Sequence, residues 1–394
     1  MSIYVGIDVA SEKHDCCIMA ADRSVLKQFS FKNDAEGFDY LLSSMSEYAA
    51  VEETYIGLES TGVYGNNLVE FLRRKGYETS TFNPLLIKKS IQATTLRKTK
   101  TDKADARFLA LYLTQEPFKP DTQVSYHISE LKSLSRSRFS LVQERAEAKT
   151  KLKSVLIQLF PEFSKVFSDV FGASALAVLS KYPSAEAISK CKLKTLTEII
   201  SKASHGRLGK DRAEQLIELA KHSIGTHSAT LELDLSVYID KISLLTKHIK
   251  VYEAKIKEFM SAIDSSITSI PGIGYILGAM ILSEIGDISR FATPAKLLAF
   301  AGLDPSVIQS GKSVSASGSM VKRGSKYLRW ALGQAARCVA ISNPVFSAYL
   351  QTKLNQGKHY SVACSHVAKK LVRVIFAILK NNSHFSLNYS SLAA

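Results

Sequence analysis

Asp8, Glu59, Asp102 and Asp105 are the residues whose types and positions could do chemistry in this chain. Asp8 closes the apolar run Ile3-Tyr4-Val5-Gly6-Ile7, in which Ile3, Val5 and Ile7 alternate like one face of a strand. Glu59 ends a second strand-like run, Thr54-Tyr55-Ile56-Gly57-Leu58, just before the turn Ser60-Thr61-Gly62. Asp102 and Asp105 open a helical stretch, and their spacing of three puts both carboxylates on one helix face. Carboxylates gathered at strand ends repel one another and stay ionised only if positive charge lies among them. Mg²⁺, a hard and oxygen-preferring cation, would supply that charge. Two such ions about 4 Å apart would clamp a phosphodiester for in-line displacement. Taken singly, each acid reads better as a solvated surface group, and Thr-Asp-x-x-Asp as a capped first helical turn. The expectation of a metal site rests on the four in combination.

The elements that must position these acids come in mixed order. Three strand-like runs open the chain, followed by a helical pattern over residues 35–49 and the strand before Glu59. Residues 67–74 are helical and end at Lys75-Gly76, a C-cap signal. A further strand covers residues 77–82 and stops at Asn83-Pro84, and helical segments run over residues 85–114. Such an order predicts an α/β domain of the ribonuclease-H kind, a sheet with helices on its faces, over residues 1–118.

Residues 119–265 turn helical. Leu131, Leu134, Leu141, Ala148, Leu152, Val155 and Leu159 fall on heptad a/d positions, with Arg138 and Arg145 interrupting the seam. A cleaner seam follows: Leu235, Tyr238, Ile242, Leu245, Ile249, Tyr252, Ile256 and Phe259. It suits an antiparallel hairpin within one chain and a coiled coil joining subunits, two readings that are compatible. Residues 164–230 carry no assignable chemistry. The last section, 266–394, opens with Ile270-Pro271-Gly272-Ile273-Gly274 before a helix. This turn suits a helix-hairpin-helix in which Gly272 and Gly274 admit phosphate oxygens to the backbone, and suits a plain packing turn as well.

The 394 residues are 46% hydrophobic and 22% charged, ordinary for a globular protein of two or three domains. No apolar stretch approaches the ~20 residues that span a bilayer, and no signal peptide is visible. Five scattered cysteines fit neither a zinc pattern nor a disulfide framework, so a reducing cytoplasm is expected. The net charge of +15 is uneven: −1 over residues 1–120, +5 over 121–265 and +11 over 266–394. Acids gather where catalysis is expected and the positive field gathers elsewhere, as for a protein whose partner is nucleic acid rather than a membrane.

Several motifs carry a family resemblance. Gly6-Ile7-Asp8-Val9-Ala10, Glu59-Ser60-Thr61-Gly62-Val63-Tyr64, Asn83-Pro84 and Thr101-Asp102-Lys103-Ala104-Asp105-Ala106-Arg107 resemble the catalytic domain of the DEDD transposases, similar to a Holliday-junction resolvase (RuvC-like) fold. Ile270-Pro271-Gly272-Ile273-Gly274, Phe300-Ala301-Gly302-Leu303-Asp304-Pro305, Gln309-Ser310-Gly311 and the basic run Lys322-Arg323-Gly324-Ser325-Lys326-Tyr327-Leu328-Arg329 resemble the second domain of the same insertion sequence 110 family, which includes Piv-type invertases. The resemblance implies that Asp8, Glu59, Asp102 and Asp105 coordinate Mg²⁺. It implies that Ser310 is the nucleophile, a choice that composition cannot make among Ser306, Ser310, Ser313, Ser315, Ser317, Ser319 and Ser325. It further implies donor and target DNA, an element-encoded guide RNA, a homo-oligomer on the prokaryotic nucleoid, and nucleic-acid contacts from Gly272, Gly274, Lys322, Arg323, Lys326 and Arg329.

Rival readings remain open at this point. Gly6-Ile7-Asp8 resembles the first phosphate loop of sugar kinases and chaperone-like ATPases, but no second loop or adenosine motif accompanies it. A nucleic-acid-binding protein without chemistry would not need all four acids. A junction resolvase acting through water shares the acids and differs at Ser310, and a Piv-type invertase shares the chemistry but not RNA-guided transposition.

Overall fold

The computed structural model describes residues 1–59, 64–82, 87, 101–121, 126–304, 309–310, 313–314 and 320–386. They form two compact units, 1–123 and 124–394.

In the first unit the alternating apolar run becomes strand β1 (Ile3–Asp8), with Ile3, Val5 and Ile7 fully buried. It pairs antiparallel with β2 (Lys13–Ala20), which pairs antiparallel with β3 (Val25–Lys32). Helix α1 (Ala35–Ser46), capped by Asp34, then crosses to β4 (Thr54–Glu59). Helix α2 (Asn66–Arg74) crosses in turn to β5 (Thr79–Phe82). β4 lies parallel to both β1 and β5, and such parallel pairs need the helical crossovers the chain supplies. The sheet order is β3-β2-β1-β4-β5. On one face Ile3, Val5, Ile7, Ile56 and Leu58 pack with Leu41 and Met45 of α1 and Leu68 and Leu72 of α2. Helix α3 (Asp102–Gln115) covers the other face, where Ala106 and Ala110 meet Cys17 and Met19. Of the segment expected to be helical over 85–114, the described part outside Ile87 begins at residue 101.

Two glycines let α3 lie this close. Gly6 and Gly57 are partners in the β1–β4 ladder. A Cβ on Gly6 would stand 2.2 Å from the Ala106 carbonyl oxygen and 2.3 Å from the Ala110 nitrogen. One on Gly57 would stand 2.9 Å from a Leu113 methyl. Both glycines are demanded by helix contact, since opposite parity along β1 sends Ile7 to one face and Gly6 to the other.

The second unit is helical. Its longest elements, α4 (Tyr126–Leu159) and α10 (Ala229–Ile263), form an antiparallel hairpin. Leu131 packs in one core with Ile256 and Met260, while Leu152 and Val155 pack in another with Leu235 and Ile242. The heptad seam of α10 therefore packs against α4 within the chain, as the hairpin reading expects. The arginines that interrupt the α4 seam find partners across it. Arg138 donates to Glu253 at 2.9 and 2.6 Å, and Arg145 to Thr246 Oγ1 at 3.3 Å.

Helices α5 (Phe163–Val166), α6 (Ala173–Leu179), α7 (Ala185–Ser189), α8 (Leu193–Ala203) and α9 (Lys210–Lys221) pack Phe163, Val178, Ile200 and Leu216 at one end of the hairpin. At the other end come α11 (Tyr275–Ile285), α12 (Pro294–Ala301), α13 (Lys326–Ser342), α14 (Pro344–Asn355) and α15 (Tyr360–Asn381). Ile281, Leu332, Val339, Leu371 and Ile375 fill their common core. Among the described residues no helix is long and apolar enough to cross a membrane.

Candidate active site

The β1–β4 register, ending Ile7 opposite Leu58, sends Asp8 and Glu59 out of neighbouring strands at one end of the sheet. α3 lies across Gly6, so its first turn, bearing Asp102 and Asp105, falls near the same strand end. That turn is fixed locally. Thr101 caps it by accepting the Ala104 N–H at 3.2 Å, and Gln28 of β3 donates to the Lys103 carbonyl at 2.7 Å. Asp8 is half-buried, and its carboxyl is pushed up from the ordinary carboxylate range to about 6. Burial is the main cause, followed by the charges of Asp105, Asp102, Glu59 and Asp15. The structure thus brings Glu59, Asp102 and Asp105 within electrostatic reach of Asp8. Among the described residues no group of three or more His, Cys, Asp or Glu side chains stands close enough to hold a metal ion. The acids share one electrostatic field centred on Asp8.

Asp15 was missed by the sequence reading. It is buried opposite Asp8 in the β1–β2 hairpin, and its Oδ1 accepts from Ser30 Oγ at 2.6 Å. The signal was available: closing residues 3–8 and 13–20 into a hairpin around the four-residue loop 9–12 sets these two acids opposite each other. His14, fully buried beside it, accepts the Ala10 N–H at Nδ1 (3.2 Å) and so ties down the loop that leaves Asp8. Burial pushes His14 below its ordinary pKa, which favours the neutral imidazole that this acceptor role requires.

In the second unit Ser310 lies in β6 (Gln309–Ser310), antiparallel to β7 (Ser313–Val314) and opposite Ser313. Ser306, Gly311, Ser315, Ser317 and Ser319 fall outside the described residues. The root of this segment is closed where it leaves and returns. Val321 N–H donates to the Asp304 carbonyl at 3.0 Å and Lys322 N–H to the Gly302 carbonyl at 3.2 Å. Gly324, at φ +128°, sits where a Cβ would meet the Phe300 carbonyl oxygen at 2.1 Å. Arg329 clamps the root, donating to the carbonyls of Ala301 and Lys322 at 3.2 Å each. Its guanidinium is thus engaged by the protein, whereas Lys322, Arg323 and Lys326 are exposed. Gly272 likewise serves packing: at φ +94°, a Cβ there would lie 2.8 Å from the Cys338 backbone. Gly274 faces open space and starts α11 with no side-chain cap.

Sequence reasoning also missed a buried ion pair behind this root. Glu284 of α11, 2% exposed, takes Arg136 of α4 in a two-pronged contact, Nε at 2.5 Å and Nη2 at 3.0 Å. Ser325, the cap of α13, donates to the same carboxylate at 2.7 Å, and the Arg136 guanidinium lies 4.6 Å from the Tyr327 ring centroid. Removing the arginine strands a buried charge, so Arg136→Met should cost about 3–5 kcal/mol of stability. Glu284→Gln should cost less, because Arg136 is partly solvated. Urea unfolding of both variants checks the order.

Comparison with known proteins places these two parts in one family. A family model described as Transposase, of the IS110 DEDD type, matches residues 5–161. A second, Transposase IS116/IS110/IS902 family, matches residues 264–351. The 44.8 kDa protein of insertion element IS116 from Streptomyces clavuligerus is 24% identical, over 98% of this chain and 96% of its own length. The pilin gene-inverting protein of Moraxella bovis is also 24% identical, over 97% of each chain. The transposase of insertion sequence element IS1111A from Coxiella burnetii is 32% identical over 133 residues, which are 32% of this chain and 36% of that protein. With motifs, matched segments and full-length relatives in agreement, the chain belongs to the IS110 family of transposases.

Proposed function

We propose that this protein recombines DNA, cutting and rejoining strands through a covalent phosphoserine at Ser310, with Mg²⁺ held by Asp8, Glu59, Asp102 and Asp105. The observation that carries the reading is Asp8, whose carboxyl is raised to about 6 by burial and by four surrounding acids. Ionising Asp8 among these acids is disfavoured, and an oxygen-only donor set suits a hard cation that would offset the crowded charge. When bound, Mg²⁺ would neutralise charge on the scissile phosphate. Ser310 Oγ attacks phosphorus, the bond from phosphorus to one sugar oxygen breaks, and the departing sugar hydroxyl takes up a proton as the serine loses its own. Attack by the hydroxyl of a second strand reverses the step and frees Ser310. Exposed Lys322, Arg323 and Lys326, with the uncapped start of α11 at Gly274, take up backbone phosphates.

The strand order β3-β2-β1-β4-β5, with β1, β4 and β5 parallel, supports a RuvC-like reading of the first unit. The division into 1–118, 119–265 and 266–394, an element-encoded guide RNA, and a homo-oligomer acting on nucleoid DNA complete this reading. A second reading, a site-specific invertase, is favoured by the pilin gene-inverting relative that matches nearly end to end. Inverted rather than excised product from a two-site plasmid would identify it.

Calorimetric titration tests the metal site. Wild type should bind Mg²⁺, and Asp8→Asn, Glu59→Gln, Asp102→Asn and Asp105→Asn should each weaken binding by about tenfold or more. Unchanged binding in all four variants would overturn the assignment.

A further inference from the structure

After Asp304 the sequence contains no aspartate or glutamate, yet residues 305–394 carry 12 Lys and Arg. The helices α14 and α15 bring several of these together. The ammonium groups of Lys353 and Lys370 lie 5.2 and 4.8 Å from the centroid of the same ring, Tyr349. Lys358, Lys369 and Lys353 all stand near enough to His366 for their charges to add to burial in pushing its pKa down. All four lysines are half-buried, so their stems lie along the protein and hold the charged ends in place. Lys353 also donates to Gln356 Oε1 at 3.2 Å.

Like charges so gathered repel, and among the described residues none of the four is in an ion pair. Several cations elsewhere in the unit are matched: Arg136 by Glu284, Arg138 by Glu253, Lys190 by Glu186, Lys210 by Glu214. The face is firmly seated, since Phe346, Val367 and Leu371 of the same two helices are in the core. A polyanion relieves this repulsion. The ammonium groups of these lysines act as point charges on phosphates rather than as bidentate readers of base edges, so their partner is a backbone rather than a sequence.

We propose that the α14–α15 face carrying Lys353, Lys358, Lys369 and Lys370 is a DNA-backbone contact, its four lysines lying beyond both family-matched stretches. The proposal rests on the reading of the protein as one that acts on DNA, and is independent of its serine and metal chemistry. Each phosphate neutralised contributes about 0.9 to the slope of log affinity against log salt.

The test is fluorescence anisotropy of the full chain on a random-sequence DNA duplex over a series of salt concentrations. Lys353→Gln/Lys358→Gln/Lys369→Gln/Lys370→Gln should lose about tenfold or more in affinity at low salt and flatten the slope by about 2–4. The same four positions changed to arginine should bind like wild type. A control removing equal charge elsewhere, Lys181→Gln/Lys192→Gln/Lys194→Gln/Lys202→Gln, should change the slope less. If the quadruple glutamine variant melts early, Lys353→Gln/Lys370→Gln carries the same test at about half the slope change. A wild-type slope in the glutamine variant, an equal loss in the control, or a loss confined to an RNA duplex or to anionic vesicles would overturn the proposal. No DNA binding by wild type would instead overturn the reading of the protein as DNA-acting.

Discussion

Asp8→Asn is expected to abolish strand exchange and, in the absence of divalent metal, to make the protein more stable above pH 6. The folded-state pKa of Asp8, about 6, lies above its ordinary value of 3.8. Between these values the folded chain binds a proton that the unfolded chain has released, so stability falls as pH rises through the window. Above it the whole penalty of an ionised, crowded carboxylate is present. Asparagine has no such penalty. A shift of this size corresponds to at most ~3 kcal/mol at 1.36 kcal/mol per unit, and solvent around the half-buried group lowers it to about 1–2 kcal/mol. Thermal melts in a chelating buffer should show wild type losing stability from pH 4 to above pH 6, with the variant flatter over that range and more stable at its upper end. Activity with Mg²⁺ should fall at least ~100-fold in the same variant. A variant that was both less stable above pH 6 and fully active would contradict the site.

Much of this arrangement was legible in the sequence because it depends on local patterns. Alternation placed β1, and Ile3, Val5 and Ile7 are buried as it required. The spacing of Asp102 and Asp105 placed both in the first turn of α3. The heptads found the long helices but could not choose a partner, because an apolar seam reads the same against a segment of its own chain as against a second copy. The structure gives the α10 seam to α4. What stayed hidden depends on register or on contacts distant in sequence. Asp15 joins Asp8 only once the β1–β2 hairpin is closed. Arg136 and Glu284 are 148 residues apart, and each alone looks like a surface charge. Gly6 and Gly57 read as weak points in strands until α3 is laid over them. The choice of Ser310 came from resemblance, since a serine-rich stretch offers no physical reason to prefer one hydroxyl.

Ser310→Ala should be the other variant with a complete effect. A phosphoserine retains the energy of the broken phosphodiester, so strands can be rejoined without ATP, whereas hydrolysis by water would lose it. Without the hydroxyl there is no attacking group and no adduct. The acids of the first unit and the exposed Lys322, Arg323 and Lys326 are untouched, so Mg²⁺ and DNA binding should stay near wild type. Ser313, paired opposite Ser310 in the β6–β7 ladder, provides the closest control. Ser313→Ala and Ser306→Ala should both keep the reaction.

The most direct measurement is denaturing electrophoresis of a labelled-DNA reaction, followed by mass spectrometry of the peptide attached to DNA. The expected result is a Mg²⁺-dependent protein–DNA adduct mapped to Ser310, absent in Ser310→Ala and retained in Ser306→Ala and Ser313→Ala. Strand exchange surviving in Ser310→Ala, an adduct on another residue, or recombination with no adduct at all would contradict it.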